Sequence, residues 1–393
     1  MATHTGEQVS EIVLPPLSLY VHIPWCVKKC PYCDFNSHTL QSDLDEKQYL
    51  QQLLADLDSD LHWVQARKLE SIFIGGGTPS TLTPQFYQQL FDALRTRLHF
   101  DLATEITMEA NPGTVDERRF YGYRNAGINR LSLGIQSFNP KHLSVLGRIH
   151  DQQQAHSAIT AARKAGFENI NLDLMHGLPA QDITEALEDL EQALSHNPQH
   201  LSWYQLTIEP NTAFYSSPPP IPDDDRLWDI QLAGFTRLAK AGFQQYEVSA
   251  FSKPGLQAKH NLNYWKFGDY LGIGAGAHGK VSQLTDSPPG LEILRYNKTR
   301  QPAAYLKRMH QFAAATSIIE PEDLPFEFMM NALRLVKGVN PDLFRSRTGL
   351  PLSTIIQPLS AARAKGLIEP SRLQTTELGF KFLNETLSCF MGN

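Results

Sequence analysis

Apolar, β-rich runs recur along the chain at LSLYVHI (17–23), SIFIGG (71–76), TEITMEA (104–110), NRLSLGI (129–135), NINLDLM (169–175) and HLSWYQLTI (200–208), with helical patterns between them. Strands alternating with helices read as βα units and a parallel sheet. Six such strands joined by right-handed crossovers predict an α/β fold, a barrel or an open part of one. In the first intervening segment Leu50, Leu53, Leu54, Leu57 and Leu61 fall on one helical face. In the second, Thr83 is a natural N-cap with Pro84 at the first helical position. After the sixth strand the texture changes, and EPNTAFYSSPPPIPDDD (209–225) reads as an exposed loop. A helix at DRLWDIQLAGFTRLAKAG and a strand at QQYEVSAF (244–251) follow, and the strand alternation stops near residue 295. Further on, GLPLSTIIQPLSAARAKGLIEPSRLQTTELG has the pattern of two short helices and a small β-wing, a winged-helix type of segment. The expected division is a tail over 1–16, the barrel over 17–295 and a mostly helical C-terminal domain over 296–393.

The 393 residues, 41% of them hydrophobic, suffice for one large core and a second, smaller one. The four cysteines, with Cys389 alone near the end, make no disulfide framework, and no apolar run has the length of a signal peptide or a membrane span. A reducing, cytoplasmic setting is expected. The tail MATHTGEQVSE lacks arginine and carries acids, unlike a mitochondrial presequence. A formal charge of -6 gives no general attraction to nucleic acid or anionic lipid. The C-terminal Arg345, Arg347, Arg363 and Lys365 are interspersed with acids and form no phosphate-binding stripe, which argues against a nucleic-acid partner.

The chemistry begins with CVKKCPYC, which places Cys26, Cys30 and Cys33 directly after the first strand. A structural zinc ion wants four ligands, and His22 or His38 would have to complete the set. A thiol–disulfide role for CPYC leaves Cys26 unexplained. Three soft thiolates suit an iron–sulfur cubane better, with one iron left open for a ligand. Further on, GIGAGAHGK (272–280) is glycine-rich but lacks the GK[ST] ending of a phosphate loop, and it reads as a backbone-close loop near the mouth of the site.

The CxxxCxxC spacing, followed by IGGGTPS (74–80) after the second strand, resembles the radical SAM enzymes. MEANPGT (108–114), GIQSF (134–138), LGRIH (146–150) and DLMHGLP (173–179) resemble the branch that holds the oxygen-independent coproporphyrinogen III oxidases and the heme chaperones called HemW. The resemblance runs from about Tyr20 to the C-terminal segment. It implies a partial (β/α)6 radical SAM barrel, a 4Fe-4S cluster on Cys26, Cys30 and Cys33, and S-adenosylmethionine chelated at the open iron. By the same resemblance Glu109 meets the methionine amino group, Arg148 its carboxylate and Asp173 a ribose hydroxyl, with Gln136 nearby. These pairings suit the chemistry, an acid for an ammonium and a planar guanidinium fork for a carboxylate. Gly75, Gly76 and Gly77 would let the backbone approach the cofactor, with Thr78 adding a hydroxyl. Tyr20 and Tyr32 complete the expected cofactor contacts, Tyr32 shielding the cluster or touching the adenine side. In that superfamily a reduced cluster passes an electron to the sulfonium, and the resulting 5′-deoxyadenosyl radical abstracts hydrogen.

Within the branch, the oxidases carry a fourth cysteine two residues after the third. Here that position is Phe35. The form CPYCDF resembles the chaperones, and HNLNYW (260–265) matches the HNxxYW motif associated there with heme binding. The expectation is therefore heme on His260, with Tyr264 and Trp265 offering aromatic surface to the porphyrin and His278 as a second contact. Cys30-Pro31 is a dipeptide of some heme-binding segments, but a cluster ligand before a turn-forming proline explains it better. The implied partners are heme and recipient hemoproteins, many of them membrane-bound. Peripheral contact with the membrane through such a partner and a homodimer are further implications. The alternative is an oxidase that decarboxylates coproporphyrinogen III.

Overall fold

In the computed structural model, which describes residues 13–40 and 44–391, the alternation within each run becomes a division between the two sides of a sheet. In β1 (Leu17–Ile23) the leucines, Val21 and Ile23 are fully buried in the main apolar core. Successive side chains of a strand point to opposite faces, so Ser18, Tyr20 and His22 share the other, polar side. Ser18 meets Ser71 of the next strand there, at 2.9 Å between hydroxyls.

The six expected strands are β1, β2 (Leu69–Gly76), β3 (Glu105–Ala110), β4 (Arg130–Gln136), β5 (Asn169–His176) and β6 (His200–Gln205), all parallel and in chain order across the sheet. Between them run α1 (Glu46–Asp60), α2 (Pro84–Arg95), α3 (Glu117–Ala126), α4 (Gln152–Lys164) and α5 (Ile183–Ser195), and α6 (Asp224–Lys240) follows β6. In α1, Leu50, Leu53 and Leu57 are buried and Leu54 and Leu61 pack partly exposed beside them. Each buried leucine contributes about 1.5–3 kcal/mol over leaving it exposed. Thr83 caps α2, its hydroxyl accepting from the Phe86 N–H at 3.2 Å.

The sheet is larger than the alternation suggests. Beside β6 lie β7 (Gln244–Gln245) and β8 (Ala250–Ser252), antiparallel, so QQYEVSAF is two short strands and a turn. On the other flank β9 (Asp269–Ile273) adds a seventh parallel strand against β1, and β10 (His278–Leu284), β11 (Leu291–Lys298) and β12 (Ala313–Ile318) extend it antiparallel. Strand β11 runs through position 295 and β12 continues to Ile318, beyond the point where the alternation reads as ending. GIGAGAHGK is thus the end of β9, a turn and the start of β10. Its glycines answer to packing: a Cβ on Gly272 would lie 1.9 Å from the His278 carbonyl oxygen, and one on Gly274 2.4 Å from that of His22.

Helix α7 (Lys259–Trp265) carries HNLNYW and lies on the polar side of β1 and β2. After the sheet come helices Leu324–Ala332, Asp342–Thr348, Ile356–Ala364 and Glu377–Lys381 around a second core that includes Phe328, Phe344 and Leu359. That core takes in Leu291 and Ile293 of β11, which joins it to the sheet. The wing is reduced to two isolated bridges, Val339 with Leu373 and Ile368 with Thr375. Two of the basic residues there bond inward, Arg347 to the Lys266 carbonyl and Arg363 to that of Glu369. The expected tail falls mostly on residues 1–12, outside the described residues. Positions 13–16 are fixed, the Pro15 and Pro16 carbonyls accepting from Arg67 and from the Asp269 N–H. No helix among the described residues is long and apolar enough to cross a membrane.

Candidate cofactor site and an adjoining cleft

Parallel strands deliver their C-terminal ends to one edge, where ligand sites gather in such folds. At that edge the three cysteines line a cavity together with Gly76 at the end of β2, Thr78 just beyond it, Glu109 of β3, Gly134 and Gln136 of β4, Asp173 of β5 and Tyr204 of β6. Arg148 and Tyr32 close the same cavity. The cysteine loop is fastened at both ends by a short parallel ladder, Trp25 with His38 and Cys26 with Thr39. A turn from the Cys33 N–H to the Cys30 carbonyl shapes its middle. Burial pushes the Cys26 and Cys33 thiols up.

Neither histidine is free to complete a zinc site. His22 is engaged at both ring nitrogens, Nδ1 with the Tyr20 hydroxyl at 3.0 Å and Nε2 with the Asn36 carbonyl at 2.9 Å. His38 Nε2 lies 3.3 Å from Asn36 Oδ1. Among the described residues no three His, Cys, Asp or Glu side chains converge on one metal position. An iron–sulfur cluster spreads its thiolates over separate irons and needs no such convergence.

Glu109 and Arg148 in the cavity keep unused hydrogen-bonding capacity. Among the described residues Glu109 accepts only from the Gly76 N–H, at 3.2 Å, and burial, with Asp173 nearby, pushes its carboxyl up to about 8. Asp173 is oriented by Ser132 and Asn171, both at 2.8 Å, and is also pushed up by burial. Arg148 donates to the Gly134 carbonyl at 2.7 Å and lies 3.4 Å from Cys30 Sγ, while its buried Nε has no partner. Gln136 sits at a break in the β4 register with φ +69°, which turns its side chain into the cavity. Its Oε1 accepts from the Tyr204 hydroxyl at 2.6 Å.

The glycines divide their work. Gly76 and Gly77 line the cavity, but each is also demanded by strand packing. Gly76 has φ +111°, and a Cβ there would lie 2.5 Å from the His22 ring; one on Gly77 would lie 2.5 Å from the Trp25 carbonyl oxygen. Gly75 is not in the wall and instead makes room for Glu109, whose Oε2 would lie 2.9 Å from a Cβ. Tyr32 packs against Phe214, whose N–H donates to the Pro31 carbonyl. The loop over 209–225 is therefore not simply exposed: it includes a helical turn, Ala213–Ser216, whose buried Phe214 backs the cysteine loop.

A second cleft of about 460 Å³ adjoins the first, sharing Phe35 and Gly76 with it. Its walls include Tyr20, Tyr264, Tyr270, His278 and Arg300. Tyr20 thus stands between β1 and this cleft, not in the cysteine cavity. His260 lines neither. It is 3% exposed, its Nδ1 is 2.9 Å from the Ser71 hydroxyl, and its ring stacks on Phe73. Burial pushes it down to about 3. Trp265 points elsewhere, under the Arg334 guanidinium beside the C-terminal core. Of the aromatic pair only Tyr264 reaches the cleft. HNLNYW acts as the lock of α7 on the barrel, with Asn263 donating to Ser18 and to the Asp269 carbonyl. Ser132, Tyr204, Tyr270 and Arg300 escaped the sequence reading because they belong to no motif. Tyr204 was accessible from strand phase alone, being two residues beyond Ser202 and four beyond His200 on the inward face of β6.

Residues 20–191 match the radical SAM superfamily and residues 319–382 the HemN C-terminal domain. The heme chaperone HemW of Escherichia coli is 52% identical over 382 residues, covering 97% of this chain and 99% of that protein. HemW of Haemophilus influenzae is 51% identical over 96% of this chain and 98% of its own length, and HemW of Bacillus subtilis 33% over 95% and 99%. Among solved structures, coproporphyrinogen III oxidase (HemN) from Escherichia coli, a radical SAM enzyme, shares the fold with a TM-score of 0.79 at 22% identity, over 96% of this chain and 90% of that one. With near-complete coverage at half identity, the chain belongs to the HemW family of the radical SAM superfamily.

Proposed function

We propose that this protein is a heme chaperone that holds a 4Fe-4S cluster and S-adenosylmethionine in the first cavity, binds heme in the adjoining cleft, and passes it to recipient hemoproteins. The observation that carries the reading is Phe35. It stands where the coproporphyrinogen oxidases have a fourth cysteine, and it is 61% exposed on the wall common to both cavities. An exposed aromatic there offers surface to a flat apolar ligand and no thiol for the chemistry of the oxidases. The names of the relatives support the same reading.

In the first cavity the three cysteines would hold the cluster, and its open iron supplies a site for the amino acid end of S-adenosylmethionine. Glu109, as its carboxylate, would accept from the N–H groups of the amino end, and Arg148, already anchored on Gly134, would offer its remaining donors to the carboxylate. Asp173, held by Ser132 and Asn171, accepts from a ribose hydroxyl. Tyr32 and Phe214 pack together behind the cysteine loop. The test is to reconstitute the protein anaerobically, titrate heme, and assay coproporphyrinogen III with reductant and S-adenosylmethionine. Heme bound one to one with no protoporphyrinogen formed is the expected result. Substantial turnover would make the protein an oxidase.

A further inference from the structure

The adjoining cleft contains two functional groups that no contact among the described residues explains. His278 opens β10, opposite Asn297 of β11, and its exposed ring makes no hydrogen bond with the described residues. Arg300 is placed by its own carbonyl, which accepts from Asn36 Nδ2 at 2.9 Å, while its exposed guanidinium has no acid or carbonyl partner among the described residues. Facing them is an aromatic wall in which the Tyr264 and Tyr270 ring centroids are 4.2 Å apart. Phe35 stands at the rim. The volume falls in the range of small-molecule and cofactor sites. Asp34 also faces the cleft, and Lys29, donating to the Phe35 carbonyl at 3.3 Å, stands beside it. The local balance is thus two cations to one acid.

An apolar wall, a free imidazole and a free guanidinium match the three chemistries of heme: a flat ring, an iron that takes imidazole, and propionates that take a guanidinium. His260 lacks the geometry. It is enclosed by Phe73, Tyr20 and Tyr264, its Nδ1 is committed to Ser71, and its Nε2, buried without a hydrogen-bond partner, belongs to a residue that lines neither cavity. We infer that heme binds in this cleft with His278, not His260, as the imidazole on iron, Arg300 on a propionate, and Tyr264 and Tyr270 against the macrocycle. This assignment rests on the chaperone reading and specifies its site. Partial burial and the cations Arg300 and Arg295 push the His278 imidazole down, toward the neutral form that ligates a metal. The shared wall at Phe35 and Gly76 would bring the heme edge beside the cluster cavity.

The test compares the full chain with His278→Ala, Arg300→Gln and His260→Gln, titrated with hemin, hemin dimethyl ester and iron-free protoporphyrin IX, and read by heme absorbance and electron paramagnetic resonance. His278→Ala is expected to lose the imidazole-ligated spectrum, bind hemin about tenfold or more weakly, recover the spectrum with added imidazole, and bind iron-free porphyrin as wild type does. Arg300→Gln should weaken hemin and iron-free porphyrin together and leave the dimethyl ester unaffected. His260→Gln should keep the wild-type spectrum. The assignment is overturned if His278→Ala keeps the wild-type spectrum while His260→Gln loses it, a result that leaves the chaperone reading standing. Wild-type protein that binds no hemin at all would remove both.

Discussion

Glu109 gives the sharpest test of the cofactor site, because its two states have opposite consequences. Burial holds its carboxyl at about 8, against an ordinary value of 4.5, so near neutrality the free protein carries it mostly protonated. The N–H groups of an incoming amino end require the carboxylate as acceptor, and binding must release that proton. At pH 7, one unit below, the release costs about 1.4 kcal/mol, a tenfold loss of affinity, and at pH 6 about a hundredfold. The ligand's own α-amino group titrates near 8 and must be neutral to bond an iron, so affinity should rise from pH 6 and level off above pH 8. Glu109→Gln removes a charge-assisted contact worth about 1.5–3 kcal/mol, and it should weaken S-adenosylmethionine roughly ten- to hundredfold at pH 8 while differing little from wild type at pH 6. Isothermal titration of anaerobically reconstituted protein in buffers of different ionisation enthalpy counts the released proton directly. For the ligand-free fold the sign reverses. A carboxyl raised above its unfolded value contributes stability below about 4.5 that is lost as pH rises through about 8, so ligand-free Glu109→Gln should melt above wild type at pH 9. A wild-type affinity that is flat from pH 6 to 8, or a mutant deficit that persists undiminished at pH 6, would refute the reasoning.

Alanine at Cys26, Cys30 or Cys33 should abolish iron and sulfide uptake on reconstitution, measured by metal analysis, while Cys389→Ala, in the C-terminal core away from the cavity, retains both. Gly76→Ala puts a side chain at φ +111° and 2.5 Å from the His22 ring; denaturant unfolding should show a loss of more than about 2 kcal/mol, and an unchanged midpoint would contradict the packing. Lys298 is buried between Asp56 at 2.6 Å and Asp60 at 2.7 Å and ties β11 to α1. Burial raises Asp56 to about 6 despite that cation, so the pair carries a large desolvation cost, and Lys298→Ala should lose about 3–5 kcal/mol in the same assay by stranding the acids.

Much of the fold was legible in the sequence where one physical constraint acted alone. The six βα strands declared themselves because each buries an apolar stripe in the main core. Cys26, Gly76, Glu109, Gln136 and Asp173 were named by the family resemblance, and the meeting of parallel strand ends at one edge is the physical reason that they could surround one ligand. Legibility failed where two constraints shared the same residues. GIGAGAHGK looks like a loop because glycine usually signals one, yet here Gly272 and Gly274 are small so that β9 can lie close to the β9–β10 turn and to β1. Strand β11 carries Glu292, Arg295 and Asn297 among its apolar positions, which blurred its boundary with the C-terminal segment. HNLNYW resembles a heme motif, and the resemblance did not show its packing: in α7 His260 and Asn263 bond Ser71 and Ser18 on the polar side of the sheet. Arg300 belongs to no motif and was visible only once β11 and the CDFN segment came together.

The central claim is that the protein hands heme on, and kinetics of transfer test it most directly. Protein loaded with one heme would be mixed with membranes from heme-starved cells that hold apo b-type cytochromes, and the growth of their reduced absorbance band followed at several membrane concentrations. Delivery through contact gives a rate that rises with acceptor concentration and exceeds the loss of heme to excess apomyoglobin. A rate independent of acceptor and equal to that spontaneous loss would mean that the protein binds heme without delivering it.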